Sequence, residues 1–216
     1  MEIELKYKIP AMAIAEDIWK DDIFSDIEED GSREELYLDA KYFDTSRCDL
    51  AKNEIAYRVR TEGERIVAAL KWKGHSEGGL HTREEINVPV MDDEPDISVF
   101  HESEIGRQLA EIVGDETLEC FMETKFNRRR FRIDTGTSIF EVSVDVGKIV
   151  TKYGESPISE VEIELFSGET KEMIGIGRKL RDKYDLEAEN ESKYARGIEL
   201  IRDNMGDESR NISEAW

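Results

Sequence analysis

The chain has 216 residues, with 51 Asp or Glu against 30 Lys or Arg and a formal net charge of −21. That length suits one domain with its own core, no apolar run approaches the ~18 residues a membrane helix needs, and the opening Met1-Glu2-Ile3-Glu4 lacks the basic start of a secretory signal. Spread evenly, such a charge would exclude phosphate and nucleic acid as ligands, so its distribution decides the matter.

Residues 2–9 open with strict alternation, Ile3, Leu5, Tyr7 and Ile9 against Glu2, Glu4, Lys6 and Lys8, the period of a strand. Residues 16–35 carry ten acids and two bases, and the stripe Ile14, Ile18, Trp19, Ile23 and Ile27 predicts a helix ending at Asp30-Gly31-Ser32. Segments 37–44, 57–61, 66–73 and 82–90 again read as strands, with Arg58, Arg60, Lys71, Lys73, Arg83 and Glu85 opposite their apolar residues. Residues 92–119 hold ten acids and one base, and Val99, Ile105, Leu109, Ile112 and Val113 predict a second acidic helix ending at Gly114. Segments 128–133, 139–146 and 160–165 complete a set of eight strands. On these, Arg128, Arg130 and Arg132, then Glu141, Ser143 and Asp145, then Glu160, Glu162 and Glu164 form the polar faces. Residues 170–186 predict a third amphipathic helix through Met173, Ile174, Ile176, Leu180 and Tyr184. With no linker and no repeat, the domain is expected to cover 1–202, followed by a polar tail over 203–216.

The two acidic stretches together hold 20 acids and 3 bases, which leaves 31 acids and 27 bases elsewhere. The negative charge therefore belongs to two helical surfaces, and the strands are nearly balanced. Like charges recur on one strand face (Glu2 with Glu4, Arg58 with Arg60, Glu162 with Glu164), which is unfavourable unless a ligand matches them. If helices cover the apolar outside of a closing sheet, those charged faces turn inward, and eight strands enclose an interior wide enough for one small ligand. The fold class expected is α+β, an eight-stranded antiparallel β-barrel with amphipathic helices on its outside. Cys48 and Cys120 are too few for a disulfide framework and are expected as buried thiols of a cytoplasmic protein. His75, His81 and His101 show no metal spacing, and Lys125 and Arg129 share the parity of Phe131 and are expected to point outward.

The Glu2-Ile3-Glu4-Leu5-Lys6 opening resembles the Glu-x-Glu-x-Lys signature of the CYTH superfamily, the triphosphate tunnel metalloenzymes. Tyr42-Phe43-Asp44-Thr45, Arg58-Val59-Arg60, Leu70-Lys71-Trp72-Lys73, Arg83-Glu84-Glu85, Arg128-Arg129-Arg130, Asp145-x-Gly147, Glu162-Ile163-Glu164 and Ser192-Lys193-Tyr194-Ala195-Arg196-Gly197 follow in family order. Within that family the chain is most similar to bacterial inorganic triphosphatases. The resemblance implies an eight-stranded tunnel and metal-dependent hydrolysis of a triphosphate, with tripolyphosphate the leading substrate. Lys6, Lys8, Arg58, Arg60, Lys71, Lys73, Arg83, Arg128, Arg130 and Lys193 would hold phosphate, the arginines in bidentate fashion. Glu2, Glu4, Asp145, Glu162 and Glu164 would ligate Mg²⁺ or Mn²⁺ as hard oxygen donors, with Glu2, Glu4 and Lys6 closest to the chemistry. Phosphoryl transfer is mostly positioning and charge neutralisation, so no covalent nucleophile is required.

Thiamine triphosphatase and nucleoside triphosphatase activities share this site. They would want an aromatic at the tunnel mouth, for which Trp72, Tyr42, Phe43 and Trp19 are candidates. An adenylyl cyclase is disfavoured for want of an early His-Phe pair. A non-catalytic polyphosphate-binding module would have no use for the paired glutamates. No membrane or nucleic-acid partner is expected, and self-association as a homodimer stays open.

Overall fold

In a computed structural model of the protein, residues 1–204 are described. The alternating segments form β1 (Glu2–Lys8), β2 (Glu34–Thr45), β3 (Ile55–Glu62), β4 (Arg65–Glu77), β5 (Leu80–Val90), β6 (Leu118–Asp134), β7 (Ile139–Thr151) and β8 (Gly154–Ser167). Neighbours pair in the order β5-β4-β3-β2-β6-β7-β8-β1, and a further β1–β5 pairing closes the ring. The result is a closed eight-stranded antiparallel barrel, as the patterning predicts. A short ninth strand, β9 (Glu187–Ala188), pairs with the end of β1 outside the ring.

Helices α1 (Met12–Lys20), α2 (Asp49–Lys52), α3 (Glu104–Val113), α4 (Thr170–Tyr184) and α5 (Lys193–Asn204) complete the described residues. Ala15 and Ile18 of α1 and Met173, Ile176 and Leu180 of α4 pack on Phe131, Ile133, Phe140, Val142, Val161 and Ile163, the outward residues of β6, β7 and β8. Ile105, Leu109 and Val113 of α3 cover Tyr57, Val59, Ala68 and Leu70 on β3 and β4. Each such large apolar side chain contributes about 1.5–3 kcal/mol by leaving water. With the apolar faces committed outward to helices, the charged faces have only the barrel interior left.

Two expected helices are shorter than the sequence suggests. Over 16–35 the helix stops at Lys20, because Asp21 turns its Oδ1 back to accept the Ile23 N–H at 2.8 Å. The chain then runs through turns that bury Phe24 against Phe131 before β2 begins. Over 92–119, Asp96 caps a 3-10 turn at Ile97–Phe100, and the Ser103 hydroxyl accepts the Gly106 N–H at 2.9 Å to start α3. Residues 118–127, where the sequence predicts no element, extend β6, since Cys120, Phe121 and Met122 obscure the alternation. Cys48 is buried as expected, but Cys120 lies exposed near the start of β6 at the barrel rim, and both are free thiols. Helix α5 includes Asp203 and Asn204, and the rest of the expected tail lies outside the described residues.

One end of the interior is filled by Leu38, Ala40, Tyr42, Met122, Phe126, Ile149 and Ile158, with Tyr194 of α5 packed against them. Two glycines permit this. A Cβ on Gly147 would lie 2.2 Å from the Lys125 carbonyl oxygen and 2.5 Å from the Phe126 Cβ. A Cβ on Gly197 would lie 1.8 Å from the Met122 sulfur, so only glycine lets α5 approach this closely.

Candidate active site in the barrel

Strand register sorts the inward side chains into rows. Glu4, Glu164 and Glu141 are direct neighbours across β1, β8 and β7. The next row is Lys6, Glu162, Ser143 and Arg130, and the one after holds Lys8, Glu160, Asp145 and Arg128. On the opposite wall, Arg58 and Arg60 of β3 face inward beside Tyr42 and Ala40. Together these walls enclose a cavity of about 600 Å³ lined by eight basic and seven acidic residues. The lumen is thus close to neutral in a protein of net charge −21.

Two ion-pair clusters organise it. In the first, Lys71 Nζ donates to both Glu2 oxygens at 3.1 Å and lies 3.1 Å from Glu85, while Arg83 bridges Glu2 and Glu4. Arg58 reaches Glu85 at 3.6 Å. Burial alone would raise the Glu85 carboxyl, but Lys71, Arg58 and Arg83 hold it down at about 2.

In the second cluster, Arg128 donates to Asp145 through Nε at 2.8 Å and Nη2 at 2.7 Å, and also to Glu162. Lys193, brought over the barrel end by α5, donates to Asp145 at 2.7 Å, to Glu162 at 2.9 Å and to Glu160. Lys6 lies 2.9 Å from Glu162 and 3.6 Å from both Glu4 and Glu160, and Arg196 pairs with Glu160. Burial opposes ionisation of Glu162, yet Lys193, Lys6 and Arg128 outweigh it and keep the carboxyl well below its usual range. Lys6 is likewise raised above its ordinary value: burial lowers it, and Glu162, Glu4 and Glu160 more than offset that.

Glu164 stands apart, with no hydrogen bond or salt bridge among the described residues. Burial, with Glu2 and Glu4 beside it, pushes its carboxyl up to about 8. A half-buried carboxylate flanked by Glu4 and Glu141 and lacking a cation of its own fits a divalent ion, because hard oxygen donors in a polar pocket are what Mg²⁺ and Mn²⁺ select. Asp145, Glu160 and Glu162 also place ligand atoms within 4.8 Å of one another, but Lys193 and Arg128 already occupy the space between them. The cation requirement of that trio is met by the protein itself. Across the cavity, the Nε atoms of Arg58 and Arg60 are buried without a partner. Burial and the nearby Arg58 and Arg128 lower Arg60 to about 10, the signature of cations held together with too little negative charge.

Of the residues singled out in the sequence, Glu2, Glu4, Lys6, Arg58, Arg60, Lys71, Arg83, Arg128, Arg130, Glu162, Glu164 and Lys193 all line this cavity. Asp145 reaches the same cluster, fully buried behind Arg128. Arg128 and Arg130 face inward while Arg129 turns out to pair with Glu16 at 2.8 Å over Trp19. Two expected phosphate ligands are not brought there. Lys8 is the last residue of β1, at the end beside β9, 55% exposed and paired with Glu189, because the strand ends with it. Lys73 has φ 53° in a bulge between Trp72 and His75, which takes it out of the alternation and into solvent. Glu160 and Glu141 were legible as same-face partners of Glu162 and Asp145, but nothing local distinguished them as members of the cluster. Tyr42, buried against Tyr194, and Arg196, inside the Ser192–Gly197 motif, also join the site region.

The CYTH domain family profile matches residues 1–198. An inorganic triphosphatase of Haemophilus influenzae is 32% identical over 165 residues, covering 76% of this chain and 46% of that protein, so the chain spans about half the length of that relative. Among solved structures, HpAC1 from Hippeastrum, for which a dominant triphosphatase activity is described, superposes with a TM-score of 0.63 at 20% identity, covering 92% of this chain and 96% of that one. The RNA triphosphatase domain of the mimivirus mRNA capping enzyme gives a TM-score of 0.51 at 15% identity, covering 83% and 86%. These two likenesses concern the fold.

Proposed function

Because the chain belongs to the CYTH domain family, we propose that it is a metal-dependent triphosphatase that cleaves tripolyphosphate to pyrophosphate and phosphate inside the barrel. The observation that carries this reading is the near-neutral cavity, in which Arg58 and Arg60 have unpartnered donors on one wall and Glu164 lacks a cation on the other. A polyanion entering it is attracted by the arginines but leaves the carboxylate row unmatched. Only a polyanion accompanied by a divalent cation balances both walls.

Arg58, Arg60, Arg128 and Arg130 would orient the phosphate chain, with their planar donors matching non-bridging oxygens in pairs. Lys6 and Lys193, braced by Glu160, Glu162 and Asp145, stay fully charged in the interior and would neutralise charge that builds on the leaving phosphate. Glu2, Glu4 and Glu164 would hold Mg²⁺ or Mn²⁺. A divalent ion there supplies charge neutralisation of phosphate oxygens and acidification of a bound water. Asp145 and Glu162, expected as metal ligands, are better explained as the carboxylates that hold Arg128, Lys193 and Lys6 in place. The two free cysteines suit a cytoplasmic setting.

One observation favours a triphosphate bearing an organic group. Phe166, on the inward parity of β8, lines the cavity and is 51% exposed at its rim. Trp19 and Phe43, by contrast, belong to the outer cores. Phosphate release from tripolyphosphate, thiamine triphosphate and ATP, each with Mg²⁺, Mn²⁺ or EDTA, separates the readings. Tripolyphosphate turnover that persists in EDTA, or in Glu4→Gln, would refute the metal role. Tight binding without turnover under either metal would leave a polyphosphate-binding module.

A further inference from the structure

The two ends of the cavity differ. Helix α5 lies across one end, where Lys193 is 10% exposed and sits among carboxylates. The other end is rimmed by the start of β2, the end of β3 and the last residues of β8, where Phe166 and Glu34 are half exposed. This second end is an open mouth. Two arginines face into it, and each already has a carboxylate. Arg130 donates through Nε and Nη2 to one oxygen of Glu34 at 2.9 and 2.7 Å. Arg60 pairs with Glu62, whose side chain is only 10% exposed. Glu62 also acts on Arg130, so these four residues form one run of alternating sign along the β3, β2 and β6 side of the mouth. None of the phosphate-binding or metal-binding roles above uses Glu34 or Glu62.

We propose that Glu34 and Glu62 are a charge collar that sets the length of phosphate chain the site accepts. The inference rests on the tripolyphosphate reading and sharpens it. A short chain ends at Arg60 and Arg130, with Arg58, Arg128 and the carboxylate row around the rest of it. A longer chain leaving by this mouth carries further anionic phosphates past two glutamates held by Arg130 and Arg60. Each such phosphate meets a like charge at a few ångströms, in a rim where screening is weaker than in bulk water. Arg130 and Arg60 add little net attraction there, because each is offset at the rim by its own glutamate. Discrimination thus comes from a repulsive element against the longer ligand, and added attraction for the short one is not needed.

The test is the affinity of the full chain for tripolyphosphate and for long-chain linear polyphosphate, measured by calorimetry with Mg²⁺ present. Wild type, Glu34→Gln, Glu62→Gln and the double variant are compared, with Glu111→Gln on the exposed face of α3 as a charge-matched control. The ratio of long-chain to tripolyphosphate affinity is expected to rise about fivefold for each glutamate neutralised, and to stay unchanged in the control. The wild-type ratio should also rise with salt, as screening relieves the repulsion. A ratio that does not move in the double variant, or moves equally in Glu111→Gln, overturns the collar. Binding is read without turnover, so a protein that binds tripolyphosphate but hydrolyses none would defeat the catalytic reading and still decide this one.

Discussion

Neutralising Glu160 isolates what the second ion-pair cluster contributes. This carboxylate is fully buried, contacts Lys193 and Arg196 directly, and has Lys6 at 3.6 Å. At an effective dielectric near 20, each contact is on the order of 4 kcal/mol in gross attraction. Most of that gain offsets the cost of stripping water from four charged groups. In Glu160→Gln the amide keeps the volume but removes the charge, leaving Lys193 with Asp145 and Glu162 and leaving Arg196 with Glu189 at 3.9 Å. Removing one partner of a buried network costs about 3–5 kcal/mol, with the low end expected because two carboxylates remain. For a chain of this size a loss of ~3 kcal/mol lowers Tm by roughly 6–12 °C. Scanning calorimetry of wild type and variant at pH 7 reads this directly. The same variant holds one more uncompensated positive charge, so tripolyphosphate should raise its Tm more than that of wild type. A Tm drop below about 2 °C, or equal stabilisation of both proteins by tripolyphosphate, would show that the cations are solvated and the cluster is not a buried brace.

Glu164, with its carboxyl raised to about 8, binds a proton in the folded state that the unfolded chain has lost above about 4.5. Stability of the metal-free protein should therefore fall as pH rises from about 4.5 to 8, and urea midpoints across that range should flatten in Glu164→Gln. Glu85, held at about 2, has the opposite sign: its contribution is present above about 4.5 and is lost as pH falls toward 2, so Glu85→Gln should blunt acid unfolding. Arg58→Ala should lower tripolyphosphate affinity by roughly ten- to a hundredfold, the loss of a charge-assisted hydrogen bond, and Arg58→Lys should recover only part of it in the same titration. Gly197→Ala should cost about 1–3 kcal/mol in chemical denaturation by forcing α5 off Met122, and should weaken tripolyphosphate binding because Lys193 rides on the same helix.

The barrel was legible because period-two alternation is written directly into β1, β3, β4, β5, β7 and β8; which arginines of Arg128-Arg129-Arg130 point inward was open to a one-residue bulge, and β6 pairs with β7 without one. Two kinds of feature were not. Lys73 leaves the lumen through a bulge, a backbone event that no side-chain pattern announces. The split of the carboxylates into one row awaiting a cation and one cluster already served by Lys193, Arg128 and Lys6 depends on partners as far apart in sequence as Lys6 and Glu162, and on a helix that local reading could not place. The acidic segments resemble longer helices than they form because apolar spacing persists through 23–27, where Asp21 and the turn chemistry of 25–32 take over.

The seam that closes the barrel also sets when the site can exist. β1 is flanked by β5, through Glu2 to Leu5 with Leu80 to Arg83, and by β8, through Glu4 to Lys8 with Glu160 to Glu164. During synthesis β1 leaves the ribosome before either neighbour, and the β8 residues that pair with it are made more than 150 residues later. Until then Glu2, Glu4 and Lys6 sit on an open edge that can pair with another nascent chain. Antiparallel self-pairing would set Glu2 and Glu4 against Lys8 and Lys6, so charge alone does not guard this edge, and it is β8 that protects it by covering Glu4 to Lys8.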